Sequence, residues 1–137
     1  MSHWSDAYRA CPWQSGAAGP DAYDCFGLVR AVYRARLGIE IPPVAVDAER
    51  PLSVARALRS YDYAQWDLVR APIELDVVQM SHGAHPTHVG VWIEADGGLV
   101  MHAVRGAGVL CQRLASLRLN GWRLLDIYRR RACVPRS

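Results

Sequence analysis

The sequence contains no lysine: all sixteen cationic side chains in its 137 residues are arginines, against 13 aspartates and glutamates. The resulting net charge of +3 is too small to indicate a nucleic-acid-binding protein. No apolar run approaches the length of a membrane-spanning helix, and residues 1–16 lack the charged and then apolar pattern of a signal peptide. We therefore expect no nucleic-acid partner, no membrane span, and synthesis in the cytoplasm without export by the usual route.

The cysteines show no disulfide framework. The four of them, at positions 11, 25, 111 and 133, are irregularly spaced, and free thiols are the default where no signal peptide is present. Internal repeats and low-complexity linkers are also absent, and 137 residues suffice for one domain with a hydrophobic core. The sequence predicts a single domain over residues 1–137 and indicates no cofactor.

The sequence has a helical first part and a strand-rich second part. Helices are predicted over residues 4–10, from Cys25 to a stop signal at Gly38, and over residues 51–60. From residue 76 onwards the apolar segments are short and separated by turn residues, as strands are. They are DVVQM, THVGVWIEA, GLVMHAV, GVLCQRL and WRLLDIYRR. This order predicts an α+β fold in which N-terminal helices pack on a central antiparallel β-sheet.

The segment YDCFGLVRAVYRARLG places a cysteine at the start of the clearest helix. Its apolar residues recur at helical spacing, Asp24 precedes it as a cap, and Gly38 ends it. Unpaired N–H groups and the helix dipole favour negative charge at that end, which lowers the pKa of a thiol and makes Cys25 a candidate nucleophile. On this segment alone, an equally good interpretation is that Cys25 is a small buried apolar residue.

Two histidines lie in the hairpin predicted from HVGVWI and LVMHAV. Alternation puts His88, Gly90 and Trp92 on one face of the first strand, and the second strand carries His102. The two histidines share a face if the hairpin pairs residues of equal parity, whereas a two-residue loop at residues 96–97 would put them on opposite faces. The sequence leaves the loop length open.

Together these side chains can supply a nucleophile, a base and an orienting group. A thiol nucleophile needs a base within reach, and the base needs a partner at its other ring nitrogen. Cys25, His88 and His102 can fill these roles in that order, with Gly90 leaving open space beside the His88 ring. Taken singly, each histidine is more often an ordinary polar residue on a solvated sheet face.

A metal site is a competing interpretation. The segment HGAHPTH brings His82, His85 and His88 together in sequence, Cys111 follows later, and zinc takes such ligands. The glycine and proline inside the segment break any helix that would align the three rings, so the segment is typical of a loop that enters a strand. We therefore expect no metal.

Three blocks of the sequence occur in a recognisable order: YDCFGLVRAVY, then DVVQM followed by HVGVWI, then GGLVMHAV. Together they span most of residues 13–109 and resemble the NlpC/P60 family of papain-like cysteine peptidases, which cut peptidoglycan stem peptides. The resemblance implies a helix bundle packed on an antiparallel sheet. It also implies that Cys25 is the nucleophile, His88 the general base and His102 the orienting third residue.

The chain departs from the family's pattern around the nucleophile. Phe26 follows the cysteine where the family usually has Ser or Trp, and Leu75 stands where a glycine often precedes the first core strand. Many members carry a tyrosine twelve residues before the cysteine; here that residue is Trp13, which keeps an N–H donor but leaves the efficiency of hydrolysis open. The expected substrate-binding residues are Trp13, Asp24 and Trp92.

The resemblance implies hydrolysis of a stem-peptide amide, with the D-γ-glutamyl–diamino acid bond as the expected target. The segment GPDAYDCFGLVRAVYRARLGIEIP is most similar to the phage-tail branch of the family, whose members are short and lack signal peptides. We therefore expect a phage or prophage tail-associated cell-wall hydrolase, made in the bacterial cytoplasm, with other tail proteins as partners. The alternatives are a non-catalytic tail assembly or peptidoglycan-binding component that retains the fold, and acyl transfer in place of hydrolysis.

Overall fold

The computed structural model describes residues 3–41, 66–82 and 86–131. Its helices are a 3-10 helix, Trp4–Ala7, then α1, Cys25–Leu37, and α2, Leu114–Leu119. Its strands are β1 Trp66–Val69, β2 Val77–Ser81, β3 Pro86–Ile93, β4 Leu99–Val104, β5 Gly108–Gln112 and β6 Arg123–Arg130. The helix predicted over residues 51–60 lies outside the described residues.

Helix α1 begins and ends where its local sequence signals indicate. The Asp24 side chain caps it by accepting a hydrogen bond from the Gly27 N–H at 2.6 Å. Gly38 ends it in the left-handed conformation, at φ 67°, from which its N–H donates to two carbonyls of the last turn. The buried apolar side chains recur at helical spacing and form one face, made of Leu28, Val29, Val32 and Tyr33.

The strands form one sheet in the order β1-β6-β2-β3-β4-β5, and every neighbouring pair is antiparallel. Helix α1 packs on one face of this sheet, which we call the α1 face, and the opposite face carries α2. Sheet side chains on the α1 face include Val77, Val89, Val91, Met101 and Ala103. A second, smaller cluster lies on the opposite face and consists of Val78, Met80, Trp92, Val100 and Leu117.

The register of the β3–β4 hairpin settles the question that the sequence left open. Val91 pairs with Met101 and Ile93 with Leu99, so residues of equal parity lie opposite each other. The turn is longer than two residues, and residues 96–98 all have positive φ. His88 pairs with Met80 of β2, which belongs to the cluster opposite α1. His102 lies two residues after Val100 of the same cluster, so both histidines lie on the face opposite α1. We call it the histidine face.

The predicted α+β architecture is confirmed, and all five predicted strands are present. Two elements were missed. The edge strand β1 has only four residues and no alternation of buried and exposed side chains. The six residues of α2 begin at Leu114, the last residue of the segment GVLCQRL that was predicted as a strand. The N-terminal helix is shorter than predicted. Of the residues described, no helix is long and apolar enough to cross a membrane.

Candidate active site

Cys25 is the first residue of α1 and is buried, with 5% of its surface exposed. Burial raises the pKa of its thiol to about 12, and the Asp24 carboxylate adds to the rise. The backbone N–H groups of Val89, Phe26 and Cys25 itself act on the thiol in the opposite direction. The expectation that the helix N-terminus lowers this pKa is therefore wrong for the protein as it stands, because desolvation outweighs the N–H groups.

His88, His102 and Gln112 form a hydrogen-bonded row on the histidine face. His88 Nε2 lies 2.9 Å from His102 Nδ1, and His102 Nε2 lies 2.7 Å from the side-chain oxygen of Gln112. His102 is fully buried and His88 is 7% exposed. Among the described residues nothing is hydrogen-bonded to His88 Nδ1, so that nitrogen is the open end of the row.

Both imidazoles are neutral. Burial lowers the pKa of His88 to about 3, and the neighbouring His102 adds to this. Burial also lowers the pKa of His102, although its hydrogen bond to Gln112 acts in the opposite direction. Since the Cys25 thiol is also uncharged, the resting site holds a neutral thiol and neutral imidazoles, and an ionised thiolate forms only when a base removes its proton.

The Trp122 indole covers the histidine row. Its ring stacks on His88 at a centroid distance of 4.5 Å and an interplanar angle of 27°, and it meets His102 edge-on at 5.8 Å. Sequence reasoning missed both Trp122 and Gln112. The available signals were a tryptophan directly before the last strand and a polar residue at an inward position of β5, but neither has meaning without the register of the sheet.

Cys25 and the histidines approach β3 from opposite faces. Cys25 belongs to the cluster on the α1 face, and its sulfur lies close enough to β3 for the Val89 N–H to affect the thiol. Val89 directly follows His88, so thiol and imidazole meet the strand at consecutive residues. Within the described part of the chain, no hydrogen bond joins the Cys25 thiol to His88, and their assignment as a catalytic pair stays a prediction.

Gly90 does not leave open space, as the sequence suggested. A Cβ added there would lie 2.7 Å from Val100 Cγ1, 2.9 Å from the Met101 carbonyl oxygen and 3.1 Å from His102 Cβ. The missing side chain instead lets β4 approach closely, which brings His102 against His88.

Asp24, predicted to bind substrate, has its carboxylate engaged within the protein. One oxygen accepts from the Gly27 N–H at 2.6 Å and the other from the Gly16 N–H at 2.8 Å. The Asp24 N–H donates in turn to the Ala17 carbonyl at 2.9 Å. Asp24 thus caps α1 and ties the preceding loop to it, a structural role; its assignment to substrate stays a prediction that these contacts do not support.

The two tryptophans predicted to bind substrate lie in different places. Trp13 is half-buried, its backbone pairs with Tyr23 just before the nucleophile, and the Arg105 guanidinium lies 5.2 Å from the centre of its ring. Trp92 is 8% exposed, belongs to the small core cluster and donates its indole N–H to Glu94. Four residues along β3 separate it from His88, a distance of about 13 Å, so its contacts indicate a core residue.

The metal interpretation receives no support from the described residues, in which no group of three or more potential ligands occurs. His82 packs edge-on against Trp122 at 5.2 Å, which separates its ring from His88 by an indole. His85 lies outside the described residues.

A cavity of about 560 Å³ lies at the other end of α1, beside Leu37 and Gly38. Its charged walls include Asp76 and Arg129, which are paired to each other at 2.8 Å. None of the predicted site residues lines this cavity.

Comparison with known proteins adds a family and a fold. A model of the NlpC/P60 family matches residues 10–123. Among solved structures, a lipoprotein-like protein of the NLP/P60 family from Staphylococcus aureus subsp. aureus Mu50 aligns with a TM-score of 0.58 and 20% identity, over 93% of this chain and 39% of that chain. The chain therefore spans well under half of that protein, and the likeness is one of fold. No curated protein matches the chain in sequence.

Proposed function

Since this chain belongs to the NlpC/P60 family, whose members are generally cysteine peptidases or cell-wall hydrolases, we propose that it is a cysteine peptidase acting on peptidoglycan stem peptides. The observation that carries the proposal is the hydrogen-bonded row from Gln112 through His102 to His88, whose open nitrogen belongs to the residue before Val89. Cys25 lies at the same point of β3, at the N-terminus of a helix. This arrangement supports the roles of nucleophile for Cys25, general base for His88 and orienting group for His102.

In the proposed reaction, Cys25 Sγ attacks the carbonyl carbon of a stem-peptide amide. His88 Nδ1 takes the thiol proton and then gives it to the leaving amine, while the N–H groups at the start of α1 stabilise the oxyanion. Water, activated by His88, releases the acyl group from the thioester and restores the thiol. The pair is not hydrogen-bonded at rest, and such contacts often tighten only when substrate binds.

We propose the D-γ-glutamyl–diamino acid amide as the bond that is cut. Such a substrate carries free carboxylates beside the scissile bond and needs a cation close to the nucleophile. Arg105 lies over the ring of Trp13, whose backbone pairs with Tyr23 just before Cys25. Arg30 instead reaches the Ile41 carbonyl, beyond the opposite end of α1 from Cys25. Arg105 is accordingly the better candidate for the carboxylate, with the Trp13 ring forming the adjacent wall.

We also propose that the domain is carried by a phage or prophage tail, together with other tail proteins, and reaches the cell wall with the virion. The support is the similarity of residues 19–42 to the phage-tail branch of the family. Protein mass spectrometry of purified particles from an induced host tests this: the chain should be found among the tail proteins and absent from particles of a strain that lacks its gene.

The activity is tested by incubating the purified protein with muropeptides of known structure and identifying the products by mass spectrometry. We expect a newly exposed amine on the diamino acid. Cys25→Ala should abolish the product, whereas Cys11→Ala, which removes a half-buried thiol that donates to the Ala7 carbonyl, should leave it unchanged. Product formation by Cys25→Ala would contradict the mechanism.

A second candidate function is a non-catalytic component that binds peptidoglycan. The neutral resting site and the missing thiol–imidazole hydrogen bond favour it over an enzyme with a preformed ion pair. It predicts that wild-type and Cys25→Ala proteins bind insoluble peptidoglycan equally in a pull-down and that neither releases product.

A further inference from the structure

Gln112 is the end of the histidine row farthest from Cys25. It lies on β5 opposite Val100 of β4, which puts its side chain on the histidine face, and it presents its amide oxygen to His102 Nε2 at 2.7 Å. It is the only member of the row whose hydrogen-bonding atom has a fixed direction, because an amide oxygen accepts and never donates.

That direction propagates through both rings. If Gln112 accepts, His102 Nε2 must carry the proton, and a neutral imidazole has only one. His102 Nδ1 is then a lone pair, so the hydrogen bond of 2.9 Å to His88 requires His88 Nε2 to donate. The single proton of His88 is thereby placed on Nε2, and His88 Nδ1 keeps a lone pair.

We propose that Gln112 is a positioning residue that fixes the tautomers of both histidines and leaves His88 Nδ1 as the proton acceptor. The tautomer assignment stands on the row of hydrogen bonds and on the neutrality of the two buried rings. Its consequence for turnover rests on the proposed function, in which that nitrogen takes the proton of Cys25.

Rotation of the Gln112 amide by half a turn would reverse the whole row. The amide nitrogen would then donate to His102 Nε2, His102 Nδ1 would donate to His88 Nε2, and the proton of His88 would lie on Nδ1. In that state His88 cannot accept the thiol proton. The Gln112 side chain, two hydrogen bonds away from His88, thus decides whether His88 Nδ1 can act as the base.

The test is the tautomeric state of both histidines, read from long-range proton–nitrogen correlation spectra of the ¹⁵N-labelled protein near neutral pH. In the wild type we expect protonated Nε2 and unprotonated Nδ1 on both rings. The opposite tautomer at either ring would overturn the proposal, and this spectrum needs no variant.

Three substitutions at Gln112 make the test directional. Gln112→Glu can only accept a hydrogen bond from His102 and should keep the wild-type tautomers. Gln112→Lys can only donate one and should move the proton of both rings to Nδ1. Gln112→Met can do neither and should leave a mixture of the two tautomers. Gln79→Met is the matched control, because Gln79 is a buried glutamine on the α1 face, 4% exposed, and its loss should leave both tautomers unchanged.

Turnover should follow the tautomers. We expect Gln112→Lys to lower kcat by about 10²-fold or more, and Gln112→Glu to stay within about 10-fold of the wild type, since general-base catalysis contributes on this scale. Equal losses in the two variants, with melting temperatures like that of the wild type, would overturn the positioning role. If all tautomers behave as expected but the wild type cleaves no muropeptide, the tautomer assignment stands and the proposed function fails.

Discussion

The two faces of the sheet are built differently. The α1 face is covered by a thirteen-residue helix and is mainly apolar, and among the described residues Cys25 is its one buried cysteine. The histidine face has a smaller apolar cluster and buries His88 and His102 beneath Trp122. The half-buried Gln112 completes the row by its hydrogen bond to His102. The free-energy cost of burying these polar groups is reduced because they hydrogen-bond to one another. Under the proposed function, the α1 face mainly supplies stability and the nucleophile, whereas the histidine face supplies the base and its orienting partners.

The largest expected effect on stability lies on the α1 face, at Gly27. A Cβ there would lie 1.9 Å from the Ala17 carbonyl oxygen, a backbone atom held by the Asp24 N–H. We expect Gly27→Ala to lower the free energy of unfolding by about 3 kcal/mol or more in urea titrations. Ala35→Gly, on the exposed side of the same helix, is the control and should cost about 1 kcal/mol. A stable Gly27→Ala protein would show that the loop does not pack on α1 as described.

Gly90→Ala perturbs the histidine face by the same kind of overlap, but the contact distances are longer, 2.7 Å or more against 1.9 Å at Gly27. The added methyl group contacts Val100, the Met101 carbonyl and His102 Cβ, and we expect a loss of about 1–3 kcal/mol. Turnover should fall by more than the loss of folded protein explains, because the added methyl group displaces His102 from His88. Unchanged turnover per folded molecule would break the proposed division between the two faces.

The neutral histidines predict an acid dependence of stability. In the unfolded chain they take up protons below pH 6.5, their ordinary pKa, whereas the folded protein keeps the pKa of both rings lower, that of His88 at about 3. The unfolded state therefore binds more protons, and the free energy of unfolding should fall as the pH drops from 6.5 to 5, by up to about 1.4 kcal/mol per pH unit for each ring.

Urea unfolding at several pH values measures this dependence. His88→Gln should reduce the slope between pH 6.5 and 5 by roughly the contribution of one ring. A slope that is the same in both proteins would mean that His88 is not held neutral by the fold.

The smallest expected effect compares two tryptophans on the histidine face. Trp122→Phe uncovers part of the stacked His88 ring, so we expect the pKa of His88 to move upwards, toward its ordinary value, with a change in stability of about 1 kcal/mol. Trp92→Phe is the matched control, because Trp92 packs in the same cluster without a ring contact to either histidine among the described residues. A nitrogen-detected NMR titration of the histidines distinguishes the two variants. Equal shifts of the His88 pKa in both would show that Trp122 does not shield this ring.

Local signals in the sequence predicted much of the fold. The cap at Asp24, the stop at Gly38 and the helical spacing between them act within one segment, so α1 could be placed without knowledge of its surroundings. The strands were found for the same reason, since alternation and turn residues are local. Strand β1 was missed because a short edge strand is defined by its pairing with β6, which no local pattern encodes.

The candidate site was predicted only in part. Cys25, His88 and His102 were named from a motif, but Gln112 and Trp122 come from β5 and from the residue before β6 and reach the histidines only through the register of the sheet. Gly90 was misinterpreted because the space beside it is filled by β4. The pKa of the Cys25 thiol was predicted in the wrong direction because burial, which a helix start does not reveal, outweighs the N–H groups.

The sequence by itself determined the elements, their order and the residue types available for chemistry, because hydrophobic periodicity, caps and turns act between residues a few positions apart. Only the tertiary structure decided that His88 and His102 share a face, that Gln112 completes their row, and that thiol and imidazole rest uncharged. Hydrogen bonds of this kind join residues far apart in the chain, and desolvation depends on everything packed around a group, so both arise only once the sheet and α1 have come together.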